Sequence, residues 1–250
     1  IESEMLDLKG AALLKKEAES LQHLKTHYPK NPYCKSCCSA KATRTPALKR
    51  KDSGSRHDKR QDLEPKKFGD QVSGDYLIDR RKTPKKADAL EGIDGEVLGF
   101  VLVDNFSDFI YPYPDKRRDA LTIEEHMMHY QGPVHGNRKY HLIQSFRSDN
   151  AGELLNAAKA LKWRIMPSTP NRSTSNPRGE RATRKVLEGT RVLLYHAGLS
   201  AKWWPYAARC WCWHHNITPR ETRPSPYYER HGQEAECLEI IFGAACGIHP

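Results

Sequence analysis

The sequence predicts an α/β domain with a mixed sheet flanked by helices, preceded by a small helical module suited to holding a metal. Three observations carry this. From Phe68 to His196, strand-like apolar runs alternate with helical patterns, and a hairpin comes first. Upstream, His23-x3-His27 is followed by Cys34-x2-Cys37, a spacing that suits four metal ligands. Between the two regions, from about Ser39 to Lys67, aromatics vanish and Lys, Arg, Ser and Asp dominate, so nothing there drives packing.

Composition bounds the function. The 250 residues suffice for one substantial domain plus a smaller one, with 38% hydrophobic and 29% charged side chains. A formal charge of +10 and a pI near 9.2 favour a polyanionic partner, because each neutralised phosphate releases counterions. No apolar run reaches the roughly 18 residues of a membrane span, so no membrane partner is expected, and the first residues carry no signal-peptide pattern. Seven cysteines, an odd number at irregular spacing, argue against a disulfide framework and for a reducing compartment. Beginning at Ile1 and ending mid-pattern at Pro250, the chain is expected to be a piece of a longer polyprotein.

Taken in order, residues 4 to 28 show Leu6, Leu13, Leu14, Leu21 and Leu24 at helical spacing, stopped by Tyr28-Pro29. Asn31 to Cys34 reads as a turn. Gln71 to Ile78 is a strand weakened by Gly74, and Val97 to Val103 is a buried strand by its continuous apolar run. Phe106 to Tyr113 is its hairpin partner. Asp115 to Tyr130 reads as a helix ending before Gly132-Pro133. Tyr140 to Phe146 is a strand leading into Ser148-Asp149-Asn150. A short helix (Gly152 to Leu161), a short strand (Trp163 to Met166) and a loop follow. Asn176 caps a helix with Pro177 at its first position, running to about His196. An aromatic helix, Ala201 to Asn216, comes last.

Two constellations carry chemistry. His23 and His27, one helical turn apart, share a face, and Cys34 and Cys37 in a tight turn close a tetrahedral zinc site. Cys38 is the poorer candidate thiol, because Cys34 to Cys37 has the better spacing. The second is a set of carboxylates. Phosphodiester chemistry with two divalent ions needs acidic side chains gathered around ions about 4 Å apart. Asp149 ends an apolar strand, Glu180 lies one turn into a basic helix, and Asp75 ends an earlier apolar stretch. Asp79, Asp104 and Glu153 compete with them, and composition alone does not choose.

Resemblance does choose. His23, His27, Cys34 and Cys37, then Phe68-Gly69-Asp70-x4-Asp75, then Val101-Leu102-Val103-Asp104-Asn105-Phe106-Ser107, then Arg147-Ser148-Asp149-Asn150-x-Gly152-Glu153 follow in order. Thr169-Pro170, Asn176 and Glu180-Arg181 complete the core pattern. Downstream lie Gly198-Leu199-Ser200-x2-Trp203-Trp204, Pro224-Ser225-Pro226-Tyr227 and His231-Gly232. Over nearly its whole length the chain thus resembles the integrase segment of copia-type long-terminal-repeat retrotransposon polyproteins, with the Arg-Ser-Asp-Asn block the most specific part.

The resemblance implies a ribonuclease-H-like core in which Asp75, Asp149 and Glu180 are catalytic and hold two Mg2+ or Mn2+ ions. It also implies a structural Zn2+ on the His/Cys set. The implied reaction is DNA end processing and strand transfer, a polynucleotidyl transferase and endonuclease activity. The implied partners are element ends and target DNA, in a homo-oligomer. The implied setting is intracellular, in the nucleus or a virus-like particle. The expected division is a zinc module (1–40), a basic linker (41–67), the catalytic core (68–198) and a helical extension (199–250).

In the helix after Asn176, Ala182, Val186, Gly189 and Leu193 form an inward stripe, leaving Arg181, Arg184 and Lys185 to reach DNA phosphate. The aromatics Trp203, Trp204, Tyr206, Trp211 and Trp213 are expected to pack onto the domain rather than stack bases. A proline after Asn176, where the family has glycine, and a shortened interval from Asp149 to Glu180 admit a second reading. In it the chain is a catalytically inactive, zinc-stabilised DNA-binding remnant.

Overall fold

A computed structural model describes residues 10–41, 64–79, 91–132, 143–149, 151–167, 176–237 and 239–244. Most of the expected basic linker, the residues 80–90, the strand start at Tyr140, Asn150 and Thr169-Pro170 lie outside the described residues. The elements are α1 (Ala11–Ala18), α2 (Leu21–Thr26), α3 (Lys35–Ala40), β1 (Val72–Asp79), β2 (Leu98–Asp104), β3 (Ile110–Asp115), α4 (Ala120–Gln131), β4 (Ser145–Ser148), α5 (Gly152–Ala160), β5 (Arg164–Pro167), α6 (Pro177–Ala197), α7 (Trp204–Ile217) and α8 (Pro226–His231).

The five strands form one mixed sheet in the order β3-β2-β1-β4-β5. β1 pairs antiparallel with β2 and parallel with β4, and β4 pairs parallel with β5. This is the mixed sheet flanked by helices expected from the sequence. All seven residues of β2 are buried, which is why it reads as an unbroken apolar run rather than an alternation. Its side chains still divide between two layers. Phe100 and Leu102 pack with Ile123 and Met127 of α4 and Leu154 of α5. Val101 and Val103 pack with Ala182, Val186 and Leu193 of α6 and Trp204 and Trp211 of α7. Helices α6 and α7 approach so closely at Gly189 that a Cβ there would stand 2.3 Å from the Trp211 indole.

Two helix boundaries differ from the expectation. The single helix expected over 4–28 is broken, because the Ser20 hydroxyl donates to Glu17 O and also accepts His23 N–H, ending one helix and capping the next. The helix expected from Asp115 begins only at Ala120. Strand β3 runs on to Asp115, whose carboxylate accepts Arg117 N–H at 3.0 Å, and Asp119 caps α4 through Thr122 N–H.

Strand β3 forms an edge of the sheet. Asn216 of α7 closes part of it, accepting Ile110 N–H at 3.0 Å and donating to Ile110 O at 2.8 Å. Pro112 and Pro114 follow at the same parity.

The N-terminal helices dock on α6 and α7. Trp211 Nε1 donates to Thr26 O at 3.0 Å, His214 Nδ1 donates to Lys25 O at 3.2 Å, and Lys25 pairs with Glu239 at 2.6 Å. The aromatic helix therefore buries Trp204 and Trp211, as expected, while Trp203, Tyr206 and Trp213 remain exposed. No helix among the described residues is long and apolar enough to cross a membrane.

Candidate metal centres

The four residues of the first constellation come together. One ligand atom from each of His23, His27, Cys34 and Cys37 lies within 4.8 Å of the other three, and all four residues are buried. Cys34 Sγ stands 3.4 Å from His27 Nδ1, and Cys37 Sγ stands 3.4 Å from His23 Nε2 and 3.7 Å from His27 Nδ1. Zinc bonds of about 2.3 Å to sulfur and about 2.0 Å to nitrogen give tetrahedral N···S edges of about 3.6 Å. The donor set and its spacing fit zinc.

The expectation that both histidines sit on one helical face needs correction. Helix α2 ends at Thr26, and His27 takes a left-handed conformation (φ 50°, ψ 33°). That turn brings Nδ1 of His27 to the cluster, whereas His23, still helical, brings Nε2. Cys34 caps α3 and Cys37 lies within it. Cys38 is exposed and its thiol donates to Pro32 O at 3.1 Å, so it stands apart as expected. Burial lowers the pKa of His23, and burial together with the nearby His23, His196 and Lys41 brings His27 down to about 3. Burial raises the Cys37 thiol. The imidazoles are thus neutral, the form that ligates a metal, whereas the Cys37 thiol would have to give up its proton to a bound cation.

The carboxylates of the second constellation sit on β1, just beyond β4 and in the first turn of α6. In the parallel β1–β4 ladder Ser73 pairs with Arg147, two residues before Asp75 and Asp149 respectively, and β4 ends at Ser148. Gly74 and Phe146 point into the α4–α5 layer, since a Cβ on Gly74 would meet the Phe146 ring at 2.9 Å. Strand alternation therefore turns Asp75 toward the opposite layer, where its neighbour Leu77 packs with α6. Helix α6 is tied to the same strand, because Asn176 Nδ2 donates to Gly74 O at 3.0 Å. Glu180 follows one turn later and is exposed. Asp75 is half-buried and its Oδ1 accepts Tyr76 N–H at 2.8 Å, while Asp149 is exposed just beyond β4. Among the described residues, only the His/Cys set gathers three or more ligand atoms within 4.8 Å. Asp75, Asp149 and Glu180 do not form such a set.

Two of the competing acids, Asp104 and Glu153, are accounted for otherwise. Asp104 is buried and accepts Gly69 N–H, Ser107 N–H and the Ser107 hydroxyl at 2.9, 2.7 and 2.8 Å; it shapes the β2–β3 turn. Glu153 accepts the Tyr76 hydroxyl and pairs with Arg118, and Tyr76 packs against the α4–α5 layer, away from Asp75. Asp79 ends β1.

Of the basic residues on α6, Arg184 is exposed, and Arg181 is exposed with Nε donating to Pro177 O at 3.0 Å. Lys185 instead pairs with Asp108 at 2.8 Å, and His215 Nε2 stands 3.5 Å from the same carboxylate. The sequence reading missed Asp108, because nothing local marks a residue whose partners lie 77 and 107 positions away. It also missed the second task of Asn176, read there only as a cap. The inward stripe of α6 holds: Ala182, Val186, Gly189 and Leu193 are all buried.

The chain is 27% identical over 152 residues to the retrovirus-related Pol polyprotein from transposon RE1 of Arabidopsis thaliana, covering 58% of this chain and 10% of that protein. It is 28% identical over 160 residues to its counterpart from transposon RE2, covering 62% and 11%. The chain is a homologue of these copia-type Pol polyproteins. The chain spans about a tenth of the length of the curated relatives it matches.

Among solved structures, the chain is similar to a chain of the simian T-cell lymphotropic virus intasome in complex with PP2A regulatory subunit B56 gamma. The identity is 14%, the coverage 70% of this chain and 60% of that one, and the TM-score 0.46. It is also similar to the catalytic core domain of BIV integrase, with 15% identity, coverage of 64% and 91%, and a TM-score of 0.42. No protein-family model matches.

Proposed function

We propose that this chain is an integrase-like polynucleotidyl transferase that processes DNA ends and joins them to target DNA. One observation supports the reading: Asn176 ties the start of α6, one turn before Glu180, to the carbonyl beside Asp75 on β1, and the parallel β1–β4 ladder pairs Ser73 with Arg147, two residues before Asp75 and Asp149. Hard carboxylate oxygens are the donors that Mg2+ or Mn2+ selects, so the donor chemistry fits. Two such ions, when bound, lower the pKa of an attacking water or 3′-hydroxyl and stabilise the leaving oxygen.

The protein's own part is to hold and orient. Asp75, on the strand, fixes one side of the site. Asp149 and Glu180, both exposed, face the DNA and complete the acidic set. Arg181 and Arg184, on the turn after Glu180, place the phosphate backbone beside them. Lys185, paired with Asp108, stiffens the helix instead of meeting DNA. The His/Cys module serves as a zinc-held support for α6 and α7. The partners are DNA and further copies of the chain, acting where element DNA is integrated, in the nucleus or a virus-like particle.

A strand-transfer assay with Mn2+ or Mg2+ and donor-end oligonucleotides tests this. Product is expected with the native chain and none with Asp149→Asn, and product surviving in that variant rejects the site. Among the described residues the three carboxylates do not gather as a set within 4.8 Å, which favours a second reading, a zinc-stabilised DNA-binding remnant. Salt-sensitive DNA binding with no metal-dependent nicking or joining would select it.

A further inference from the structure

We propose that Asn176 is a positioning residue: its side-chain amide couples the helix bearing Glu180 to the strand bearing Asp75, and so sets the spacing of the two carboxylates. The inference rests on the site proposed above and adds to it the residue that holds it in register.

Asn176 is 5% exposed. Its Oδ1 accepts Gly179 N–H at 3.3 Å, capping α6, and its Nδ2 donates to Gly74 O at 3.0 Å, 102 residues away in the chain. Gly179 leaves room for this arrangement, since a Cβ there would lie 2.4 Å from Asn176 Nδ2. Pro177 supplies no N–H at the first helical position, so the amide has the Gly179 donor as its capping partner.

Capping alone does not require asparagine, since aspartate and serine cap about equally well. The bond to Gly74 O does require a donor on the same short side chain as the acceptor. A carboxylate offers none, and a serine hydroxyl is too short to serve both places. Asn176 therefore joins two tasks that the other good capping residues separate. Its two bonds end next to Asp75 and one residue before Glu180.

The test compares Asn176→Asp and Asn176→Ser with the native chain. Both variants keep an acceptor for Gly179 N–H and lose the donor to Gly74 O. Three readouts are taken: kcat and KM in strand transfer, Mn2+ binding to the protein alone by calorimetry, and amide hydrogen exchange over residues 176–182 without metal. If Asn176 positions Glu180, kcat falls by roughly 10- to 100-fold with KM for DNA nearly unchanged. The Mn2+ midpoint weakens by about tenfold, and exchange quickens in the first turn of α6 but not at Val186 to Leu193. Native behaviour of both variants in exchange and Mn2+ binding overturns the proposal and leaves Asn176 a cap. Exchange quickening along the whole of α6, with kcat and KM changing together, overturns it as well, because that marks general loss of packing. A native chain that neither binds Mn2+ nor joins DNA would reject the proposed function instead, and exchange at residues 176–182 would still decide whether the amide anchors the helix.

Discussion

Asp108 holds three elements with one side chain. It sits in the β2–β3 turn at φ 60°, a left-handed position that aspartate tolerates better than most residues. Burial would raise its carboxyl, but the hydrogen bond and charge of His215 and the Lys185 ammonium hold it well below the ordinary range. A carboxylate with a depressed native pKa binds fewer protons in the folded than in the unfolded state. It therefore adds stability above the unfolded pKa of about 3.9, and that stability is lost as pH falls further. Urea titrations from pH 6 down to pH 3 are expected to show Asp108→Asn less stable at pH 6, with the gap to the native chain narrowing toward pH 3. A constant gap would count against this role. At the cysteines, Cys37→Ser is expected to abolish stoichiometric zinc binding and Cys38→Ser to leave it intact, as read by metal analysis. The choice of Cys37 over Cys38 was legible from spacing alone. Which ring nitrogen His27 presents was not, because that depends on the sign of one backbone angle.

At the scale of elements, hydrophobic period decided most of the outcome. Strand β2 was legible as an apolar run, and α6 as a stripe with a cap and a proline at its first position. The ends of α4 and the break between α1 and α2 were not, since each turns on one side-chain-to-backbone bond that competes with continued helix. The contact between α6 and α7 was also hidden, because a glycine inside a helix announces no partner. Gly189→Ala is expected to lose about 1–3 kcal/mol to overpacking against Trp211, offset in part by the better helix propensity of alanine. Thermal unfolding reads the difference, and a stability gain would show that the two helices separate easily. Zinc chelation tests the docked module in a similar way. Removing the metal should release α1 to α3, deprive Trp211 Nε1 of Thr26 O, and shift the tryptophan fluorescence to the red while the sheet's circular dichroism persists. An unchanged fluorescence spectrum would mean that the module docks without its metal.

On the scale of the whole molecule, the mixed sheet with a layer of helices on each face was readable from the order of strands and helices. The tie between the start of α6 and β1 was not. It is a hydrogen bond across 102 residues, and so distant a contact leaves no local trace. The excess of positive charge, +10 over 250 residues, belongs to this scale too. If about three to five phosphates are neutralised, DNA affinity should drop roughly 50- to 500-fold between about 50 and 200 mM salt. Fluorescence anisotropy with a labelled duplex measures that slope, and a flat response would remove DNA as the polyanion.

The outer margin of β3 bears on how copies of the chain can meet. Asn216 already takes the outward N–H of Ile110, and the next two outward positions are prolines that have none to give. A foreign strand laid along this margin would find carbonyl oxygens but no amide hydrogens, and half of every ladder rung would be missing. Self-assembly along this border is thereby steered away from backbone pairing and toward side-chain contacts, which can be regulated and undone. Replacing Pro112 and Pro114 with valine would restore the missing amides, and with them the risk of edge-to-edge aggregation.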